Sequence, residues 1–169
     1  MTMTLIETKT LGTAQASIEF TSIPQTFTDL VCFVSARSTT TTDFYRINLN
    51  NSASDFTGRY LGSDGPISGT SFPAFGRMPE STYTANTFGN DFWYLPNYTS
   101  SANKSISVDA VAENNSTTEF YIDIVAGLWS NSSAITSVKF VPNSPNFEVG
   151  TTASLYGILK GSSGGVVVS

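Results

Sequence analysis

The chain has 169 residues, enough for one domain that buries about 70% of its unfolded surface without disulfide or metal staples. Only 12% of the residues are charged, histidine is absent, and about a third are Ser, Thr or Asn, so hydroxyls and amides carry solubility. A formal net charge of −5 argues against a surface built to displace counterions from nucleic acid, and no apolar run approaches the ~20 residues that cross a bilayer.

No basic and apolar leader opens the chain, so maturation in the cytoplasm is the expectation. Period-two alternation then begins at once. It recurs in LIETKTL (5–11), ASIEFTSI (16–23), DLVCFVSAR (29–37) and FYRINLN (44–50), each bounded by clusters of Ser, Thr, Asn and Asp. Cys32 lies in the third of these. As the single cysteine it has no internal disulfide partner, and without a histidine to activate it, a small core residue is the expected role. Arg37 closes the same strand and is expected to pair with Asp29 or Asp43.

A weaker strand signal at 57–62 leads into residues 61–86, LGSDGPISGTSFPAFGRMPESTYTAN, rich in Gly, Pro and Ser. A structureless loop of this length is either functional or hides a strand. The first alternative makes Ile67, Phe72, Phe75 and Met78 contacts to a neighbouring molecule, because a monomer has little reason to expose them. Residues 87–94 are a further weak strand, in which Phe92, Trp93 and Tyr94 could form a stacking platform for a sugar, or the edge of a core.

Residues 105–128 read as a hairpin. Ile106, Val108, Ala110 and Ala112 alternate inward on its first strand, and Phe120, Ile122, Ile124 and Ala126 on its second. That choice sets Ala110 opposite Ile122, Asp109 opposite Asp123 and Glu113 opposite Glu119, all on the outside. Carboxyls ~5 Å apart are the spacing of a retaining glycosidase, but a flat sheet face has no cleft to separate their pKa values. Calcium would need six to eight oxygen ligands. The expectation is therefore a solvated acidic strip offset by Lys139 or a neighbouring subunit, with no catalytic residue, metal or cofactor.

ITSVKFVP (135–142) and SLYGILK (154–160) close the strand series, and six Asn-x-Ser/Thr triplets, from Asn50 to Asn131, are read as turn chemistry. The whole predicts an all-β, jelly-roll-like antiparallel β-sandwich of about eight to ten strands with one long loop. Residues 1–160 form the domain. GSSGGVVVS (161–169) is a flexible C-terminal arm, whose Val166, Val167 and Val168 have strong β propensity and would find a partner on a subunit or shell.

Two stretches, SIEFTSIPQTFTDLVCFVSARS (17–38) and ITSVKFVPNSPNFEVGTTASLYGI (135–158), resemble segments of small virion structural proteins of tailed bacteriophages. The resemblance implies a jelly roll assembled in the host bacterial cytoplasm and bound to the virion, on the capsid surface. The first expectation within that group is a capsid decoration, or cement, protein whose partners are the major capsid protein and copies of itself, with a homotrimer the expected oligomer. A receptor- or carbohydrate-binding module of a head fibre or tail tip is the alternative, and no catalytic residues carry over.

Overall fold

In a computed structural model the described residues are 2–62, 65–67 (backbone only), 74–113, 120–143 and 145–159. They form twelve strands and, among the described residues, no helix: β1 Thr2–Thr10, β2 Ile18–Phe20, β3 Asp29–Ser35, β4 Phe44–Leu49, β5 Phe56–Gly62, β6 Gly65–Ile67, β7 Phe75–Arg77, β8 Asn90–Leu95, β9 Lys104–Glu113, β10 Phe120–Trp129, β11 Val138–Pro142 and β12 Thr152–Leu159. Every pairing is antiparallel. A large sheet runs β1-β12-β3-β8-β9-β10-β5-β6, and a small sheet runs β2-β11-β4-β7. The fold is a β-sandwich, as the alternation predicts.

The connections are those of a jelly roll. The chain alternates between sheets from β2 to β5, and the pairs close from the inside outward: β5 on β6, β4 on β7, β3 on β8, β2 on β11. This is one long hairpin folded over on itself, which is how a double Greek key leaves its edges short. Two additions widen the large sheet. The single strand that should return beside β3 is a meander, β8-β9-β10, and β1 and β12 add a further pair beyond β3. The edge strand β1 carries a bulge between Leu5 and Glu7, and Lys9 pairs with Glu7 at 3.3 Å, devices that keep an open edge from templating aggregation.

The core between the sheets is aromatic at its centre. Tyr45 packs against Trp93, Phe140 and Phe147 with ring centroids 5.5 to 5.8 Å apart. The buried polar tips are satisfied in series: Trp93 Nε1 donates to Tyr45 Oη at 3.1 Å, Tyr45 Oη donates to Asp91 Oδ2, and the N–H of Val111 donates to Asp91 Oδ1 at 3.2 Å. Gly76 makes the close approach possible, since a Cβ there would fall 2.4 Å from both the Asp91 carboxylate and the Tyr45 ring. Cys32 is fully buried in the same core, and burial pushes its thiol far up from its ordinary pKa. Asn50 and Asn97, at the head of two Asn-x-Ser/Thr triplets, take left-handed φ values of 50° and 48°, the turn role expected of them.

The segment 61–86 is not a structureless excursion. It contains the end of β5, β6 and β7, and it delivers Phe75 and Met78 into the core, where both are buried. As contacts to another molecule these two residues are therefore corrected. Three-residue strands show no readable period, which is why the sequence pattern misses them. Of Ile67 only the backbone pairing with Tyr60 is described, and Phe72 and Val166, Val167 and Val168 lie outside the described residues. Arg37 is corrected too. Its guanidinium donates to the carbonyl oxygens of Thr84, Thr87, Ser81 and Tyr83 at 2.9 to 3.3 Å, so it clamps the stretch leading to β8 rather than pairing with an acid.

Candidate functional site

The hairpin β9–β10 decides which side chains the large sheet shows to the outside. Its register pairs Ile122 with Val111, Asp123 with Ala110, Ile124 with Asp109 and Phe120 with Glu113. This is one residue away from the expected register, and a slip of one turns a whole strand over. The inward face of β9 is as expected: Ile106, Val108, Ala110 and Ala112 are buried. On β10 the faces are exchanged. Asp123, Val125, Gly127 and Trp129 point in, while Phe120, Ile122, Ile124 and Leu128 point out.

The inward set wins through the partners its side chains find. Trp129 stacks on Phe56 with centroids 6.2 Å apart, and Val125 joins the central core. Asp123, 1% exposed, accepts a hydrogen bond from Arg77 Nε, while Arg77 Nη1 reaches Asp43. The Arg77 guanidinium also lies 4.2 Å from the centroid of the Tyr121 ring. The cluster ties β7 of the small sheet to β10 of the large one. Breaking such a buried pair from one side leaves an uncompensated charge, which costs about 3–5 kcal/mol. Asp123 Oδ1 has no hydrogen-bond partner among the described residues and presses on Gly62, where a Cβ would lie 1.7 Å away.

Asp109 and Asp123 therefore sit on opposite faces of the sheet and form no dyad. Lys139 does not offset them either, for it faces its cross-strand partner Glu19 at 3.3 Å on the small sheet. What replaces the acidic strip is apolar. Ile124 is 59% exposed, Ile122 56%, Leu61 55% and Phe120 52%, with Val111 and Leu128 exposed beside them. Cross-strand pairing sets Leu61 beside Ile124 and Ile122 beside Val111, so these side chains form a continuous stripe on β5, β10 and β9.

Continuing across the sheet, Ile124 neighbours Asp109, then Phe92, then Phe33. Phe33 meets Phe92 at 5.4 Å and Tyr156 at 5.7 Å between centroids, a second and smaller apolar island. Of the anticipated platform, Phe92 and Tyr94 share this outer face half-buried. Trp93, on the opposite parity of the same strand, is wholly buried and cannot stack on a ligand. Phe33 and Tyr156 are the members that a linear reading overlooks, since only the pairing of β3 with β8 and β12 brings them together.

Among the described residues no group of three or more His, Cys, Asp or Glu side chains is placed to hold a metal ion. A cleft of about 220 Å³ opens between Asp43, Phe44, Tyr60, Phe75 and Arg77, where the carboxylate is already engaged by the guanidinium. Compared with known proteins, the chain matches no family model, no curated protein and no solved structure.

Proposed function

We propose that the chain is a virion structural protein of a tailed bacteriophage, a decoration protein that binds the outer surface of the capsid. Its partners are the major capsid protein and copies of itself, brought together after synthesis in the host cytoplasm. The observation that carries this reading is the outer face of β5, β10 and β9, where four large apolar side chains are more than half exposed on a rigid sheet. Contiguous apolar patches of several hundred Å² on a folded domain mark surfaces that meet another macromolecule. A broad, open sheet face suits a protein lattice better than it suits a small substrate.

The resemblance to phage virion proteins supports the same reading. Its two stretches are far apart in sequence but adjacent in space, for β2 pairs with β11 and β3 with β12. They lie together on one side of the sandwich, as β2 and β11 of the small sheet and β3 and β12 inside the edge strand β1 of the large one. Such a protein stabilises a shell by binding only its assembled form, contributing about 2.7 kcal/mol per site when free protein stands at 100 times its Kd. Purified protein mixed with empty shells of the parent phage should sediment with them, and protein that stays in the supernatant at every concentration would overturn the reading.

The exposed ring of Phe33 against Phe92 and Tyr156 favours one second reading, a carbohydrate-binding module of a fibre or tail tip. A glycan array separates the two.

A further inference from the structure

We propose that the pocket where residues 81–88 meet Glu148 and Val149 is a binding site for a neutral sugar residue, such as the end of a glycan chain. This goes beyond the virion reading and does not depend on it. The site is also distinct from the island of Phe33, Phe92 and Tyr156, none of which lines it.

Three segments converge there because of the strand order. β12, β3 and β8 are neighbours, and β3 is antiparallel to both of the others. The segment that leaves β3 therefore lies beside those that enter β8 and β12: Arg37 on the first, residues 81–88 on the second, Glu148 and Val149 on the third. The walls are held before any ligand arrives. Arg37 Nη1 and Nη2 donate to the carbonyl oxygens of Ser81, Tyr83, Thr84 and Thr87, and its own carbonyl accepts from the N–H of Glu148 at 2.8 Å. A wall fixed in this way removes an ordering cost from binding. Arg37 thus builds the pocket, and those engaged donors are not called on to bind a ligand.

The lining selects the ligand class. The cavity is about 400 Å³, within the range of small-molecule sites. Arg37 and Glu148 are its only charged side chains among the described residues, and neither has an ion-pair partner there. They share the pocket without closing on each other, and their charges sum to zero. A phosphate or carboxylate entering it would meet Glu148, and an ammonium would meet Arg37, like charge against like in either case. A neutral ligand avoids both. It must still be polar, for Ser81 and Asn86 offer groups that donate and accept, and Glu148 offers two acceptor oxygens. Among the described residues no hydrogen bond engages these three side chains. Phe88 and Val149 supply an apolar wall, and the Phe88 ring is backed by Gly150, where a Cβ would lie 3.2 Å from it. A pyranose matches both halves of this lining, with a C–H face for the ring and a rim of hydroxyls that each donate and accept.

The test titrates the full isotope-labelled chain with the methyl glycosides of glucose, galactose, mannose and N-acetylglucosamine to about 50 mM, read by backbone amide shifts with no shell present. At least one should give saturable shifts at residues 81–88 and 148–150, with a Kd in the millimolar range, as one small site allows. Glucosamine, a cation, and N-acetylneuraminic acid, an anion, should each bind about tenfold more weakly or worse. Asn86→Ala and Glu148→Gln should each weaken binding about tenfold while leaving the thermal midpoint in place, because neither side chain is bonded within the fold. Asn86 holds a left-handed φ of 63°, so Asn86→Gly serves if the alanine variant disturbs the turn. No saturable shift with any of the four glycosides, shifts centred on Phe33, Phe92 and Tyr156 instead, or an affinity indifferent to both substitutions would overturn the site. Tighter binding of either charged sugar would overturn the ligand class. Sedimentation with shells is read separately, so the virion reading can fail while the sugar site stands, and the reverse.

Discussion

Asp91 holds a carboxyl where no water reaches it, and burial raises its pKa well above the ordinary carboxylate value in spite of the donors around it. The donors are Tyr45 Oη and the backbone N–H groups of Val111 and Arg77, and the Arg77 charge acts in the same downward direction as they do. Because the folded chain holds this proton more tightly than the unfolded one, the linkage has a definite sign. Below about pH 4 both states are protonated and the contribution is complete. Above it the unfolded chain ionises first, and stability falls by up to about 1.4 kcal/mol per pH unit until the raised folded value is passed. Asp91→Asn removes the titration, but its single oxygen cannot accept from every donor, at a cost of about 1–3 kcal/mol. Urea unfolding from pH 4 to 8 should show the variant less stable at pH 4 and the gap narrowing as pH rises. Parallel curves would contradict this assignment.

At the scale of the strand, β9 and β10 differ in how much of their placement can be read locally. In β9 one parity is Ile, Val and Ala and the other is Ser, Asp and Glu, so the inward face is legible from alternation alone. In β10 both parities are largely apolar, with Phe120, Ile122, Ile124 and Leu128 on one and Val125 and Trp129 on the other. Hydrophobicity favours the wrong face there, because the deciding partner of Asp123 is Arg77, on a three-residue strand of the other sheet. An acid placed among apolar residues of a strand that is hydrophobic on both sides is the one local hint that a buried cation awaits it. The two aspartates of the hairpin should accordingly behave very differently. Asp109→Asn, on the outer face, should change unfolding free energy by no more than about 0.5 kcal/mol, whereas Asp123→Ala should cost about 3–5 kcal/mol by leaving Arg77 half-paired. Chemical denaturation of the two variants at pH 7 decides it, and equal effects would restore the expected pairing across the strands.

For the whole molecule, the number and order of the strands were largely legible, since turn clusters and alternation mark most of them, while the nesting of the pairs was not, because each pair closes over everything between its members. That same nesting governs folding. Val108 has its cross-strand partners Trp93 and Val125 close by in sequence, within the β8-β9-β10 meander. Leu155 on β12 pairs instead with Cys32 and Glu7, near the other end of the chain. Loop-closure entropy must be met before such distant contacts return anything, so folding on the millisecond to second scale is expected, with the meander organised first. Both side chains are buried, so truncation of either is disruptive, and Leu→Ala in a core costs about 2–5 kcal/mol. The kinetic signatures should differ. Val108→Ala should act on the folding rate, with a φ value of about 0.5 or more, and Leu155→Ala on the unfolding rate, with φ below about 0.3. Stopped-flow fluorescence of the buried Trp93 and Trp129 provides the chevrons. If Leu155→Ala instead slowed folding as much as Val108→Ala, the outer pair β1–β12 would have to dock before the barrier, and the order of assembly inferred from the nesting would be reversed.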